Sequence, residues 1–273
     1  MSSIQKRVQK LSRRRTIIGE DKGKSYWIYI NRPEKLNALD KKTLTRLALE
    51  IKKGCNSNSS AVIITGSGRS FSTGADIEDI IKLKNKEEVK EFFDKIKAVM
   101  DELVSCPKPV VALVNGLAVG NGAEILLAAD VVLASESSWF SFPEISLGIM
   151  PATLLSNGGY ILGFRKAKYL AITGTRFSAE EAKIMGLVDE IVPQEELEKE
   201  AAEIVDILSR YDENTIKAVK KVAKELYWNN IEKVIDIVSE LAISEVAKDK
   251  MEKFLSHKIK PSALQPRRTL HAY

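Results

Sequence analysis

Short β-branched apolar runs recur through the first two thirds of the chain, each followed by small residues and then by a helical pattern. Lys24 to Ile30 alternates and is rich in aromatics, which predicts a strand. Asn31-Arg-Pro-Glu34 then predicts a turn, because Pro33 cannot continue a ladder. Leu44, Leu47, Ala48 and Ile51 fall at i, i+3, i+4, i+7 and predict a helix over 41–53. Ala61–Thr65 reads as a buried strand, and Lys86–Val104 as a long amphipathic helix whose stripe runs from Val89 to Leu103. Cys106-Pro-Lys-Pro109 stops that helix before a strand at Val110–Val114. A helix over Gly122–Ala129, a strand at Val131–Ala134 and an extended piece at Trp139–Phe142 follow. Ser178-Ala-Glu-Glu181 has the form of a capping box opening a short helix that ends near Gly186.

From Pro193 onward strand signals vanish, and helical patterns cover 194–210, 212–228, 231–245 and 247–257. The pattern predicts an α/β fold with three regions: a basic arm over 1–23, a core over 24–192 and a helical C-terminal part over 193–273.

Two loops stand out within the core. Phe71-Ser-Thr-Gly-Ala-Asp76 follows the run Ala61–Thr65, and Asn115-Gly-Leu-Ala-Val-Gly-Asn-Gly-Ala-Glu124 follows Val110–Val114. Strand, small-residue loop and helix start can aim bare backbone N–H groups at one point, with the positive helix end behind them. Two such units suggest main-chain stabilisation of a developing oxyanion.

Composition narrows the function classes. No apolar run approaches the ~20 residues that span a bilayer, which argues against a membrane protein. The net charge of +5 is a property of one end: residues 1–24 hold eight basic and two acidic side chains, leaving about −1 for the rest. A solvated arm explains this better than a nucleic-acid surface; a transit peptide is a second reading, without a recognisable cleavage site. Cys55 and Cys106 have neither metal-ligand nor redox spacing, and a chain of 273 residues does not depend on a disulfide, so a reducing cytoplasm is the simplest reading.

The candidate chemistry is short of histidine. His257 and His271 both follow the core, which excludes a core Ser-His-Asp or Cys-His machine unless the tail folds back. No cluster has zinc-ligand spacing, Gly116-Leu-Ala-Val-Gly120 lacks the ending of a P-loop, and no Gly-x-Gly-x-x-Gly follows the first strand. Two carboxylates remain in apolar company: Glu124, in the first turn of an otherwise apolar helix, and Glu144, in Phe140-Ser-Phe-Pro-Glu-Ile145. A helix apolar nearly all round is buried, so a charge on it needs a partner or a purpose. Glu124 has a structural alternative, interaction with the helix N-terminus worth up to ~1 kcal/mol. Glu144 has one too, a surface or ion-paired place beside a proline turn. As a pair in an apolar pocket, the two carboxyl groups would suit proton transfer on a carbonyl compound.

With these residues in place, the chain from about Tyr26 to Pro261 resembles the crotonase (enoyl-CoA hydratase/isomerase) superfamily. The landmarks are Asn31-Arg-Pro-Glu-Lys-Leu-Asn-Ala-Leu39, Ile64–Asp76, Asn115–Glu124, Phe142–Pro151 and Thr173–Leu187, in order and at family spacing. The resemblance implies a crotonase-like spiral of ββα units, a helical C-terminal part used in trimerisation and a homotrimer or hexamer. It implies an acyl-CoA thioester as substrate, with coenzyme A entering only as part of it and no separate cofactor or metal.

Carried over by motif, the oxyanion hole is the backbone N–H of Ala75 and of Asn121. Glu124 and Glu144 are the acid/base pair of a hydratase that adds water across the Cα–Cβ bond of a short or branched 2-enoyl-CoA. Ser72, Thr73, Asp76, Ile77, Gly120, Ala152 and Lys258 are the substrate- and CoA-binding positions. Asn121 departs from the usual glycine, and its amide is expected to crowd or hydrogen-bond the substrate. The run Pro151-Ala-Thr-Leu-Leu-Ser-Asn-Gly-Gly159 departs from the usual glycine-rich loop and is closer to hydratases of branched methylglutaconyl-CoA-type substrates. A Δ3-Δ2 isomerase, an acyl-CoA hydrolase and a non-catalytic member binding RNA or partners through the basic arm are the rival readings.

Overall fold

In a computed structural model, which describes residues 15–228 and 231–256, the apolar runs become strands shared between two sheets. The strands β1 (Ile17–Asp21) and β2 (Ser25–Ile30) form a hairpin, followed by α1 (Lys41–Cys55). Three turns of similar design come next. The first holds β3 (Ala61–Gly66), β4 (Ser70–Ser72), a short α2 (Ile77–Ile80) and a long α3 (Lys86–Ser105). The second holds β5 (Val110–Val114), β6 (Leu117–Val119) and α4 (Asn121–Glu124), which tightens into a 3-10 turn over Ile125–Ala128. The third holds β7 (Val131–Ser135), β8 (Trp139–Ser141), α5 (Gly159–Leu162) and α6 (Phe164–Thr173).

The chain continues through β9 (Phe177–Ser178), α7 (Ala179–Ile184) and β10 (Glu190–Val192). It then runs into α8 (Leu197–Leu208), α9 (Glu213–Tyr227), α10 (Ile231–Ala242) and α11 (Glu245–Leu255).

Each of the three turns sends its first strand to a larger sheet, in the order β1-β2-β3-β5-β7-β10, and its second to a smaller one, β4-β6-β8-β9. From β2 to β10 the larger sheet is parallel, and β1 closes one edge antiparallel, with Ile17 opposite Ile30. This is a spiral of ββα units. The pairing of 17–21 moves the start of the core into the segment assigned to the arm; alternation is too weak in Ile-Ile-Gly-Glu-Asp to signal an edge strand.

Strands buried on both faces read as continuous apolar runs, as Ala61–Gly66 and Val110–Val114 do. On one face Ile28, Val62, Ile64 and Ala112 join Leu47 and Ile51 of α1 and Phe92, Ile96 and Met100 of α3. On the other, Trp27, Ile63, Val111 and Leu133 meet Leu197, Ala201 and Val205 of α8. Ile235 and Val238 of α10 and Met251 of α11 belong to the first core, so the helical part packs into the same body as the sheets.

Local sequence sets the helix starts. Asp40 accepts from Thr43 N–H and Asn85 from Glu88 N–H, each satisfying an orphan donor of a first turn. Ser178 and Glu181 form the expected capping box. Helices α5 and α6 carry no clear sequence pattern and emerge only in the fold.

Cys55, the last residue of α1, and Cys106, just after α3, are joined in a disulfide. This corrects the expectation drawn from their spacing. The packing of α1 on α3 brings their C-terminal ends together, with Cα atoms 5.3 Å apart across 51 residues of sequence. Such a bond persists in oxidising surroundings and is uncommon in a reducing cytoplasm. No helix among the described residues is long and apolar enough to cross a membrane.

Candidate active site

The first loop is held by the segment 36–39, which runs beside it. Leu36 and Asn37 both take left-handed backbone angles, φ 51° and 59°, unusual for residues other than glycine. Asn37 is fully buried, and its amide donates to Ser67 O at 2.9 Å and Ser70 O at 2.7 Å while accepting from Arg32 N–H at 2.8 Å. These three hydrogen bonds stabilise that conformation. Leu39 N–H donates to Gly74 O at 2.8 Å, and Asp76 N–H to Leu39 O at 3.0 Å, so Ala75 is bracketed on the chain side. Arg32 ties the far end, donating to Ala38 O at 2.6 Å and pairing with Asp76 at 3.1 Å.

The second loop packs on the first, backbone against backbone. Gly74 has φ +77°, and a Cβ there would lie 2.7 Å from Asn121 N and 2.8 Å from Val119 O. Only glycine fits, on both grounds. Gly120, at φ +56°, lies under Glu144: a Cβ there would come within 3.1 Å of Glu144 Oε1. Asn115 anchors the start of this loop, donating to Gly66 O at 2.8 Å and Gly68 O at 3.0 Å. Among the described residues, neither Ala75 N–H nor Asn121 N–H donates to a protein acceptor.

Glu124 and Glu144 are both buried and interact. Glu124 Oε1 accepts from Leu154 N–H at 2.9 Å, and Oε2 from Asn121 Nδ2 at 2.5 Å. Both oxygens of Glu144 are buried without a partner. Burial pushes the Glu124 carboxyl up to about 7, opposed by the donors Leu154 N–H and Asn121. Burial and then the charge of Glu124 drive Glu144 well above the usual carboxylate range. Glu144 therefore holds a proton more firmly than Glu124.

The other residues assigned to binding take several places. Ser72 Oγ is used within the loop, donating to Asn37 O at 2.8 Å and accepting from Gly74 N–H at 3.1 Å. Thr73 Oγ1 donates to Leu36 O at 3.3 Å. Asp76 caps α2 by accepting from Glu78 N–H, and Ile77 packs against the main core. Ala152 is buried at the start of the helical segment whose π-helical turn, Leu154–Gly158, carries the Leu154 N–H. Lys258 lies outside the described residues, as do both histidines.

The amide of Asn121, expected against substrate, is turned to Glu124 instead. Sequence reasoning missed Asn37, Arg32 and Leu154 N–H. The first two lie within the landmark Asn31–Leu39, whose residues carry no chemistry of their own; a backbone donor has no sequence signal. Among the described residues, no group of three His, Cys, Asp or Glu is placed to hold a metal ion.

The profile of the enoyl-CoA hydratase/isomerase family matches residues 22–261. The chain is 39% identical over 197 residues to a short-chain-enoyl-CoA hydratase of Clostridium acetobutylicum, covering 70% of this chain and 74% of that one. It is 34% identical over 232 residues to a crotonyl-CoA hydratase of Syntrophomonas wolfei, covering 81% and 86%. The solved structure of an enoyl-CoA hydratase from Bacillus halodurans superposes with a TM-score of 0.81 at 26% identity, over 87% of this chain and 99% of that one. A shared spiral, a match along nearly the whole chain and these identities lead to one conclusion: the protein belongs to the enoyl-CoA hydratase/isomerase family of the crotonase superfamily.

Proposed function

We propose that the protein is an enoyl-CoA hydratase that adds water across the Cα–Cβ double bond of a short or branched 2-enoyl-CoA. The observation that carries this reading is the unequal pair of buried carboxyl groups, Glu124 with a donor on each oxygen and Glu144 with none. In the reaction, Ala75 N–H and Asn121 N–H hold the thioester oxygen as it gains charge. Glu124, ionised, takes a proton from water as its oxygen bonds to Cβ. Glu144, protonated, gives its proton to Cα as the enolate collapses back to the thioester. One water is consumed and the two carboxyl groups end with their protons exchanged; a proton shift between them restores the site.

The acyl range is supported by the names of the two bacterial relatives, one a short-chain-enoyl-CoA and one a crotonyl-CoA hydratase. Coenzyme A is carried by the substrate, and no further cofactor takes part. A homotrimer or hexamer is part of the same proposal. Exposed Tyr160, Phe164, Ile172 and Ile184 on α5, α6 and α7 support it by offering apolar area to another copy.

The test is turnover of crotonyl-CoA and a branched analogue, followed by loss of the conjugated enoyl absorbance and by product mass. A product heavier by one water supports the proposal. Release of free CoA would identify a hydrolase, and an unchanged mass on a 3-enoyl substrate an isomerase. No reaction with any of these thioesters overturns the enzymatic reading.

A further inference from the structure

The first residue of α4 serves the site twice. Its main-chain N–H is the donor proposed above for the thioester oxygen, and its side chain reaches one turn along the helix to Glu124. Residues three apart share a helix face, so an asparagine here meets the carboxylate without leaving its own turn. With glycine at this position the Glu124 carboxylate would keep Leu154 N–H as a donor and lose the other. We propose that Asn121 is a positioning residue for Glu124, its amide fixing the carboxylate in the orientation and charge state in which it accepts a proton.

The geometry supports this from several sides. The Nδ2–Oε2 separation is 2.5 Å, both residues are buried, and Leu154 N–H fixes the other oxygen at 2.9 Å. With two donors the carboxylate cannot rotate without breaking a buried hydrogen bond, which is costly. Among the described residues, no cation is among the groups that shift the Glu124 carboxyl. Strands β4 and β6 carry neutral side chains, the π-helical turn that begins at Leu154 gives backbone and neutral side chains, and Asp76 of the first loop is paired with Arg32. Glu144 is a neighbouring titratable group whose proton the charge of Glu124 holds in place, and like charge on the two opposes their joint ionisation. Neutral donors alone offset burial at Glu124, and Asn121 is the only side-chain amide among them.

The kinetic part rests on the hydratase reading, but the inference also has a direct readout. In Asn121→Gly, which keeps the main-chain N–H, and in Asn121→Ala, the acidic limb of kcat/KM should move up by about one pH unit. At neutral pH kcat should fall about fivefold and recover toward the parent in alkali, with KM changed by no more than about threefold. Independently of turnover, the Glu124 carboxyl is titrated by 13C NMR in Glu144→Gln with and without Asn121→Gly, and the midpoint should rise by about one unit.

A raised midpoint in a protein that turns over no enoyl-CoA leaves the positioning role standing and removes the hydratase reading. Turnover with an unmoved midpoint and a uniform loss at every pH overturns the positioning role and leaves the hydratase.

Discussion

Glu124 has a hydrogen-bond donor on each carboxylate oxygen, while Glu144, buried beside it, has none on either. Two side chains of one chemical type thus differ in what surrounds them, and that difference divides their work. Donors favour the ionised form; their absence, with a neighbouring negative charge, favours the neutral one.

The rate should follow both groups. kcat/KM for hydration is expected to rise through about pH 7 as Glu124 ionises and to fall at higher pH as Glu144 loses its proton. A pH series on crotonyl-CoA checks this; a profile flat from acid to alkali would remove the acid/base division.

Replacing either acid should separate activity from stability. Glu124→Gln and Glu144→Gln should each slow hydration by about 10²–10⁴-fold. Folding raises the Glu144 pKa above its ordinary 4.5, so ionisation costs native-state stability as pH climbs past that value. Glu144→Gln should therefore melt above the parent in alkaline buffer and lose that advantage as pH falls toward 4.5, as measured by thermal denaturation across pH.

The disulfide should carry a large share of stability. Closing 51 residues constrains the unfolded chain by about 4 kcal/mol on the chain-entropy account. Cys55→Ser, Cys106→Ser and the reduced parent should unfold at similarly lowered denaturant midpoints, and reductant should not shift the two variants further.

Asn37 should matter although it lies outside the reacting pair. Asn37→Ala removes three hydrogen bonds of a buried side chain and leaves a Cβ residue at φ 59° without compensation. A loss of about 2–4 kcal/mol is expected in urea titration. Because the same segment brackets Ala75, kcat should fall in the folded variant as well.

Much of this was legible along the chain. Period-3.6 stripes located α1 and α3, continuous apolar runs located β3 and β5, and Ser178–Glu181 located α7, because burial and capping act on neighbours in sequence. The carboxylates stood out because a charge amid apolar residues contradicts its surroundings. What failed to show was contact between distant segments. The edge strand β1 depends on β2 for its hydrogen bonds, and Cys55 meets Cys106 only because α1 lies on α3.

The sequence by itself determined the alternation of strands and helices with a helical C-terminal part, the two small-residue loops and the two acids, since each rests on local pattern or residue type. Tertiary structure decided how those acids differ and where the Asn121 amide points. A pKa and a hydrogen bond depend on the dielectric and donors within a few ångströms, and here Leu154 N–H comes from 30 residues away along the chain.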